Sequence, residues 1–238
     1  MWLKLNLKKS APIINKVESK IERLEIRKKC LKKVEKIDPM GVVTIPNYIE
    51  EIQKDAFVEV RNKLKKVIIE GSIRELPEYL FYKCRSLEEV IFNTTNLIKI
   101  NKHCFNGAGI KRISIPETVV EISEFAFQNC DNLEELVIKS KRIKSIKSHT
   151  FICCSNLKRV ELCENIYLLN RYSFAYCDSL VSFIAPGVEL IEEDVFYNTN
   201  NLNEIVFKEG CKYVKGNFKK LKGLKKHIKT HYIKVKSL

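Results

Sequence analysis

Phenylalanine recurs along this chain on a ruler. Phe57, Phe81, Phe105, Phe127, Phe151, Phe174 and Phe196 are separated by 24, 24, 22, 24, 23 and 22 residues, and Phe218 follows after 22 more. Phe makes up only 12 of the 238 residues, so eight on one spacing mark an internal repeat. A unit of this length cannot bury its own hydrophobic face, which obliges a chain of such units to stack into a solenoid.

Each Phe carries the same surroundings. Ile or Leu stands five residues before it (Ile52, Leu76, Ile100, Ile122, Ile146, Leu169, Ile191), and a small residue often stands just before it (Ala56, Cys104, Ala126, Ser173). Three residues after it come Cys84, Cys130, Cys154 and Cys177 in four of seven units. A template of the form L-x-x-V-x-I then opens, from Leu64 to Ile69 and again from Leu87, Ile110, Leu133, Leu157, Leu180 and Leu202. Its V-x-I part has the two-residue period of a strand with one face buried. Pro46, Pro116 and Pro186 punctuate the strand ends, where no further ladder donor is needed. The expected fold is therefore a mainly β repeat solenoid of seven to eight units of 22 to 24 residues, with short turns or helical segments between strands.

The run from Ile113 to Ile138, ISIPETVVEISEFAFQNCDNLEELVI, resembles the BspA-like type of leucine-rich repeat, and the likeness extends over about residues 40–210. That resemblance implies a curved solenoid used for protein recognition, in a family with many members displayed on cell surfaces as adhesins.

Two rows of the strand template are expected to point outward. The first is Lys66, Glu89, Arg112, Glu135, Arg159, Ser182 and Glu204, whose sign alternates over five successive units. Adjacent strands lie about 4.8 Å apart, so each charge falls beside an opposite one and fixes register. The second is Ile68, Ile91, Ser114, Val137, Glu161, Ile184 and Val206, with five aliphatic members of seven. An apolar stripe beside charges has the character of a partner surface, although strand preference for Val and Ile also produces it. A further column two residues before each Phe reads Asp55, Tyr79, His103, Phe125, His149, Tyr172 and Asp194. Its rings either stack as a recognition ridge or fill the turn. With no Ser/His/Asp pattern, no phosphate-cradling loop and only 8 Gly, neither an enzyme nor a cofactor is expected.

Charge divides the chain further. Residues 1–40 carry net +7, residues 41–207 net −3 and residues 208–238 net +10, which together make the +14 of the whole. Both basic ends are read as caps: residues 1–39 as a helical N-terminal cap and residues 211–238 as a Lys-rich C-terminal capping helix. The first rests on Ile14, Val17, Ile21, Leu24, Leu31 and Val34 at three- and four-residue steps, although Ile21 to Ile26 also fits the strand template. The second rests on Phe218, Leu221, Leu224, Ile228, Tyr232 and Val235. The stretch from Cys211 to His231 is also similar to a two-Cys two-His zinc finger, through Cys211, Phe218, Leu224, His227 and His231. Val214 stands where the second cysteine is required, so Cys211, His227 and His231 form an incomplete set.

No run of about 18 to 20 uncharged apolar residues is present to span a bilayer, and the first residues lack a secretory apolar stretch. Nine cysteines, an odd number at no scaffold spacing, read as reduced thiols. The expected location is cytoplasmic or nuclear. The expected function is non-catalytic binding of another protein through the outward strand face. The alternatives are nucleic acid or another polyanion held by the Lys-rich ends, and a cell-surface adhesin.

Overall fold

The computed structural model describes residues 23–27, 29–208, 211–213 and 236–237. At the N-terminal end β1 (Arg23–Arg27) and β2 (Cys30–Lys36) form an antiparallel hairpin. Eight coils follow, each holding a four-residue strand and then a two-residue strand. The first holds β3 (Val42–Ile45) and β4 (Glu51–Ile52), the second β5 (Lys66–Ile69) and β6 (Glu75–Leu76), the third β7 (Glu89–Phe92) and β8 (Lys99–Ile100). Next come β9 (Arg112–Ile115) with β10 (Glu121–Ile122), β11 (Glu135–Ile138) with β12 (Ser145–Ile146), and β13 (Arg159–Leu162) with β14 (Leu168–Leu169). The last two are β15 (Ser182–Ala185) with β16 (Leu190–Ile191), and β17 (Glu204–Phe207) with β18 (Lys212–Tyr213). A final strand, β19 (Lys236–Ser237), pairs in parallel with β18.

The repeat solenoid is as the periodicity requires, and β5 to β17 fall on the last four residues of each template. Pro46, Pro116 and Pro186 follow directly on β3, β9 and β15. Among the described residues there is no helix: of the N-terminal cap expected over residues 1–39, residues 1–22 lie outside them, and the described part is the hairpin. Its pairing explains the mistaken period: Glu25 and Ile26 on β1 oppose Lys33 and Leu31 on β2, so β2 carries an extra residue. Such a bulge puts the buried Leu31 and Val34 three residues apart, which copies a helical step. Through Leu31, opposite Ile52, β2 also covers the open edge of β4, the short strand of the first coil. Of the capping helix expected over residues 211–238, residues 214–235 lie outside the described residues, while Lys212–Tyr213 and Lys236–Ser237 are strands and not helix.

The long strands form two parallel ladders, β3-β5-β7 and β9-β11-β13-β15-β17. The short ones form β6-β8-β10 and a ladder from β12 through β18 to β19, while β4 pairs with β2. The breaks are staggered: β7 and β9 do not pair but β8 and β10 do, and β4/β6 and β10/β12 are unpaired where β3/β5 and β9/β11 pair. Near the β7/β9 break Gly109 donates its N–H to the Cys84 carbonyl at 3.1 Å. A Cβ there would stand 1.9 Å from the Arg85 carbonyl oxygen, so only glycine allows that approach.

The Phe column is the spine of the core. Phe57, Phe81, Phe105, Phe127, Phe151 and Phe174 are fully buried and stack with centroids 4.8 to 5.2 Å apart. The last step, Phe174 to Phe196, widens to 6.3 Å because the Phe183 ring meets both edge-on, at 4.9 and 5.0 Å.

The cysteine column has a comparable logic. The thiols of Cys130, Cys154 and Cys177 donate to the carbonyls of Phe105, Phe127 and Phe151 in the preceding coil, at 3.1, 3.2 and 3.3 Å. Thr199, in the same register, donates to the Phe174 carbonyl at 3.0 Å. In five of the seven units this position holds a small side chain carrying one donor, and Val60 and Ala108 hold it in the other two.

Candidate functional site

The charge row on the strand face is assembled as its register demands. Lys66 pairs with Glu89 at 2.8 Å, and Glu135 lies 3.9 Å from both Arg112 and Arg159. Arg159 also reaches Glu161 at 3.1 Å, and the Ser182 hydroxyl donates to Glu204. Glu89 and Arg112, on unpaired strands, share no ion pair among those the ladder makes. A second alternating row lies one residue earlier, and its signs are visible in the sequence: Lys65, Glu88, Lys111, Glu134, Lys158. Lys111 pairs with Glu88 at 2.9 Å and Lys158 with Glu134 at 3.1 Å. The Lys111 hydrogen bond and charge hold the Glu88 carboxyl below its usual range, and this pair bridges the β7/β9 break. Exposed pairs such as these serve register more than stability.

The aliphatic row is less open than its alternation implied. Ile68, Ile91, Val137, Ile184 and Val206 are half-buried, because each leans on the side chains of adjacent strands, while Ser114 and Glu161 are exposed. Ile68 opposes Ile91, Ile184 opposes Val206, and Val137 lies between Ser114 and Glu161. Two small apolar patches therefore flank a charged centre, in place of one continuous stripe.

On the turn that joins each short strand to the next long one, the ring column is stacked. Tyr79 lies 5.0 Å from His103 at 10°, His103 lies 5.1 Å from Phe125 at 17°, and Phe125 lies 4.8 Å from His149 at 19°. Tyr172 continues the row 5.2 Å from His149. Tyr82 meets Tyr79 edge-on at one end, and at the other Tyr197 meets both Tyr172 and Tyr176 edge-on. The rings thus stack as a ridge on the turn itself. All five stacked residues have left-handed backbones, φ 54° to 61°, as does Asp194 at 55°. That conformation costs a non-glycine residue about 1–2 kcal/mol.

Beside the rings the Asn106 amide donates to Gln128 Oε1 at 2.9 Å and faces His103 Nδ1 at 3.1 Å, so Nδ1 acts as acceptor and the ring is neutral. Desolvation, with Lys102 adding to it and Glu78 opposing, lowers the His103 pKa. Desolvation and Arg171 lower that of His149, against Glu124.

Among the described residues, the buried thiols are the reverse of activated nucleophiles. Burial pushes the Cys84 thiol up to about 12 and raises Cys104, Cys130 and Cys177 well above the ordinary range. Among the described residues no three His, Cys, Asp or Glu side chains gather as metal ligands. Of the zinc-finger set, Cys211 is buried in the last coil, with its thiol pushed up to about 12 by burial, whereas His227 and His231 lie outside the described residues.

The family model for the BspA type leucine-rich repeat region matches residues 14–119 and 98–225, in six copies. A leucine-rich repeat protein of T. pallidum is 21% identical with a TM-score of 0.57, over 82% of this chain and 85% of that one. One from Eubacterium ventriosum is 20% identical with a TM-score of 0.54, over 72% and 57%. One from Bacteroides ovatus is 21% identical with a TM-score of 0.51, over 83% and 66%. At these identities the likeness is one of fold, and this chain matches only 66% and 57% of the Bacteroides and Eubacterium chains. No curated protein matches.

Proposed function

The chain belongs to the BspA type leucine-rich repeat family, and from that membership we propose that it is a non-catalytic module that binds another protein through its strand face. The observation that carries the reading is the registered outward face of β5 to β17. Its charges alternate at strand spacing, and its two aliphatic patches, Ile68 with Ile91 and Ile184 with Val206, lie on either side of them. A rigid face that mixes half-buried aliphatic area with ordered charge has the composition of a non-obligate protein interface. The aliphatic patches supply area, and the charge rows penalise a partner with the wrong pattern. The raised thiol pKa values support a role without covalent chemistry. All nine cysteines are free, which supports a reducing, intracellular setting. Protease accessibility on intact cells tests that location.

The strand face is tested by the double substitution Ile91→Asp with Val137→Asp. Proteins cross-linked to the wild type in its native extract are expected to be lost, by about tenfold or more, from a variant with an unchanged melting curve. Recovery of the same set at the same level by the variant would remove this face from the account.

A further inference from the structure

The turn edge carries a surface that the strand-face reading leaves unused. Among the described residues, Tyr79, Tyr176 and Tyr197 are among the most exposed large hydrophobic side chains, at 42%, 40% and 40%. All three belong to the chain of rings running from Tyr82 to Tyr176. We propose that this aromatic ridge is a second docking surface, and that its occupant is an uncharged polypeptide segment bearing aromatic side chains.

The rings are not required by the turn they sit on. Asp194 holds the same register at φ 55°, and Asn129 and Asn198 hold the register of Tyr176 at 56° against its 58°. Small polar residues adopt that backbone with least strain, so large rings there answer to something besides the turn. What the ridge presents is decided by its stacking. The faces of His103, Phe125 and His149 are covered by their neighbours, so these rings turn only their edges outward. A ring edge is the positive end of the aromatic quadrupole and packs best on the face of another ring.

Charge narrows the occupant further. Along the ridge Lys102 is paired with Glu124 at 3.0 Å and Arg171 with Glu193 at 3.5 Å. Arg171 also lies 4.8 Å over the Tyr172 ring. Lys102 and Arg171 are thus neutralised, and Lys83 stands singly, 4.9 Å over the Tyr82 ring, which is too little isolated charge for a polyanion. Nucleic-acid bases need open ring faces on which to stack, and the middle of the ridge has none. The ends of the ridge are tyrosines, whose ring and hydroxyl suit a contact that is apolar on one side and wet on the other. An uncharged segment that brings its own Trp, Tyr or Phe faces satisfies all of these conditions.

The experiment pans a phage-displayed library of random linear peptides on the immobilised full chain, then titrates the enriched peptides by fluorescence anisotropy. They are measured against the wild type, against Tyr79→Asp with Tyr176→Asn, and against Ile91→Asp with Val137→Asp. Asp and Asn are chosen because other coils of this chain hold them at those backbone angles, and Tyr176→Asn alone serves if the pair does not fold. The expected result is a consensus with aromatic residues and no net charge, whose affinity falls about tenfold or more in the ridge variant and is unchanged in the strand-face variant. A charged consensus, no enrichment, or loss confined to the strand-face variant would overturn the proposal. Because the strand-face reading is judged on the other pair of substitutions, either can fail alone.

Discussion

Phe127 sits at the middle of the ring spine, and its replacement by alanine measures what the spine contributes. The side chain has no exposed surface, and its ring lies 4.8 Å from Phe105 at 5° and 5.1 Å from Phe151 at 12°. Truncating a buried Phe costs about 3–5 kcal/mol, from lost transfer energy and from the cavity left behind. Two ring partners, each adding about 0.5–1.5 kcal/mol beyond burial, place Phe127→Ala in the upper half of that range. Phe57 is equally buried but, among the described residues, has a ring partner on one side only, Phe81 at 5.1 Å. Because a solenoid is stabilised by nearest-neighbour interfaces, Phe57→Ala should cost less by about one such contact, or about 0.5–1.5 kcal/mol. Equilibrium urea denaturation of both variants beside the wild type gives the comparison, with equal m-values as the check that the states being compared are the same. A loss below about 1 kcal/mol for Phe127→Ala, or a larger loss for Phe57→Ala than for Phe127→Ala, would refute the stacked-spine argument.

The cysteine column makes a chemical rather than a steric prediction: Cys177→Thr should leave the denaturation midpoint nearly unchanged, because Thr199 makes the same bond one coil later, whereas Cys154→Ala should lower stability by about 1–3 kcal/mol. Equal losses for the two would deny the donor any role. For the ridge imidazoles the folded pKa is depressed, so on acidification the unfolded chain takes up protons first. Their contribution is complete above the unfolded pKa of about 6.5 and is lost as pH falls through the lower folded values. Melting temperatures between pH 7.5 and 5 should fall, and fall less in a His103→Gln, His149→Gln variant; identical slopes would count against the neutral stack. Finally, Gly109→Ala forces a Cβ onto the Arg85 carbonyl and should destabilise by about 1–3 kcal/mol in a thermal melt, and a neutral result would mean that the backbone there gives way freely.

The Phe spacing and the V-x-I alternation were enough to place the long strands and the pairs Lys66 with Glu89 and Glu135 with Arg112 and Arg159, because period-two side chains in parallel register leave no freedom. The short strands were visible only as single Ile or Leu positions, since two residues carry no period. In the described part of the N-terminal flank, bulges in β2 set Leu31 and Val34 a helical three residues apart, and only the pairing with β1 and β4 reveals a strand. The openness of the aliphatic row depended on how far each side chain leans on adjacent strands, which alternation alone does not encode. The ring column was legible as a column. Its left-handed backbone was not, because Tyr, His and Phe carry none of the signal that Gly or Asn would.

The staggered breaks in the two ladders bear on how the molecule yields. Between any two of the eight coils at least one backbone ladder is continuous, and only one is missing at each weak boundary. A pull along the long axis therefore finds no boundary held by side chains alone. It can flex the rod at β7/β9 toward one side and at β4/β6 or β10/β12 toward the other, as courses of brick with offset joints tilt without opening a through-crack. Compliance and cohesion are thus separated, and the ring ridge rides on a support that bends locally while its coils stay joined.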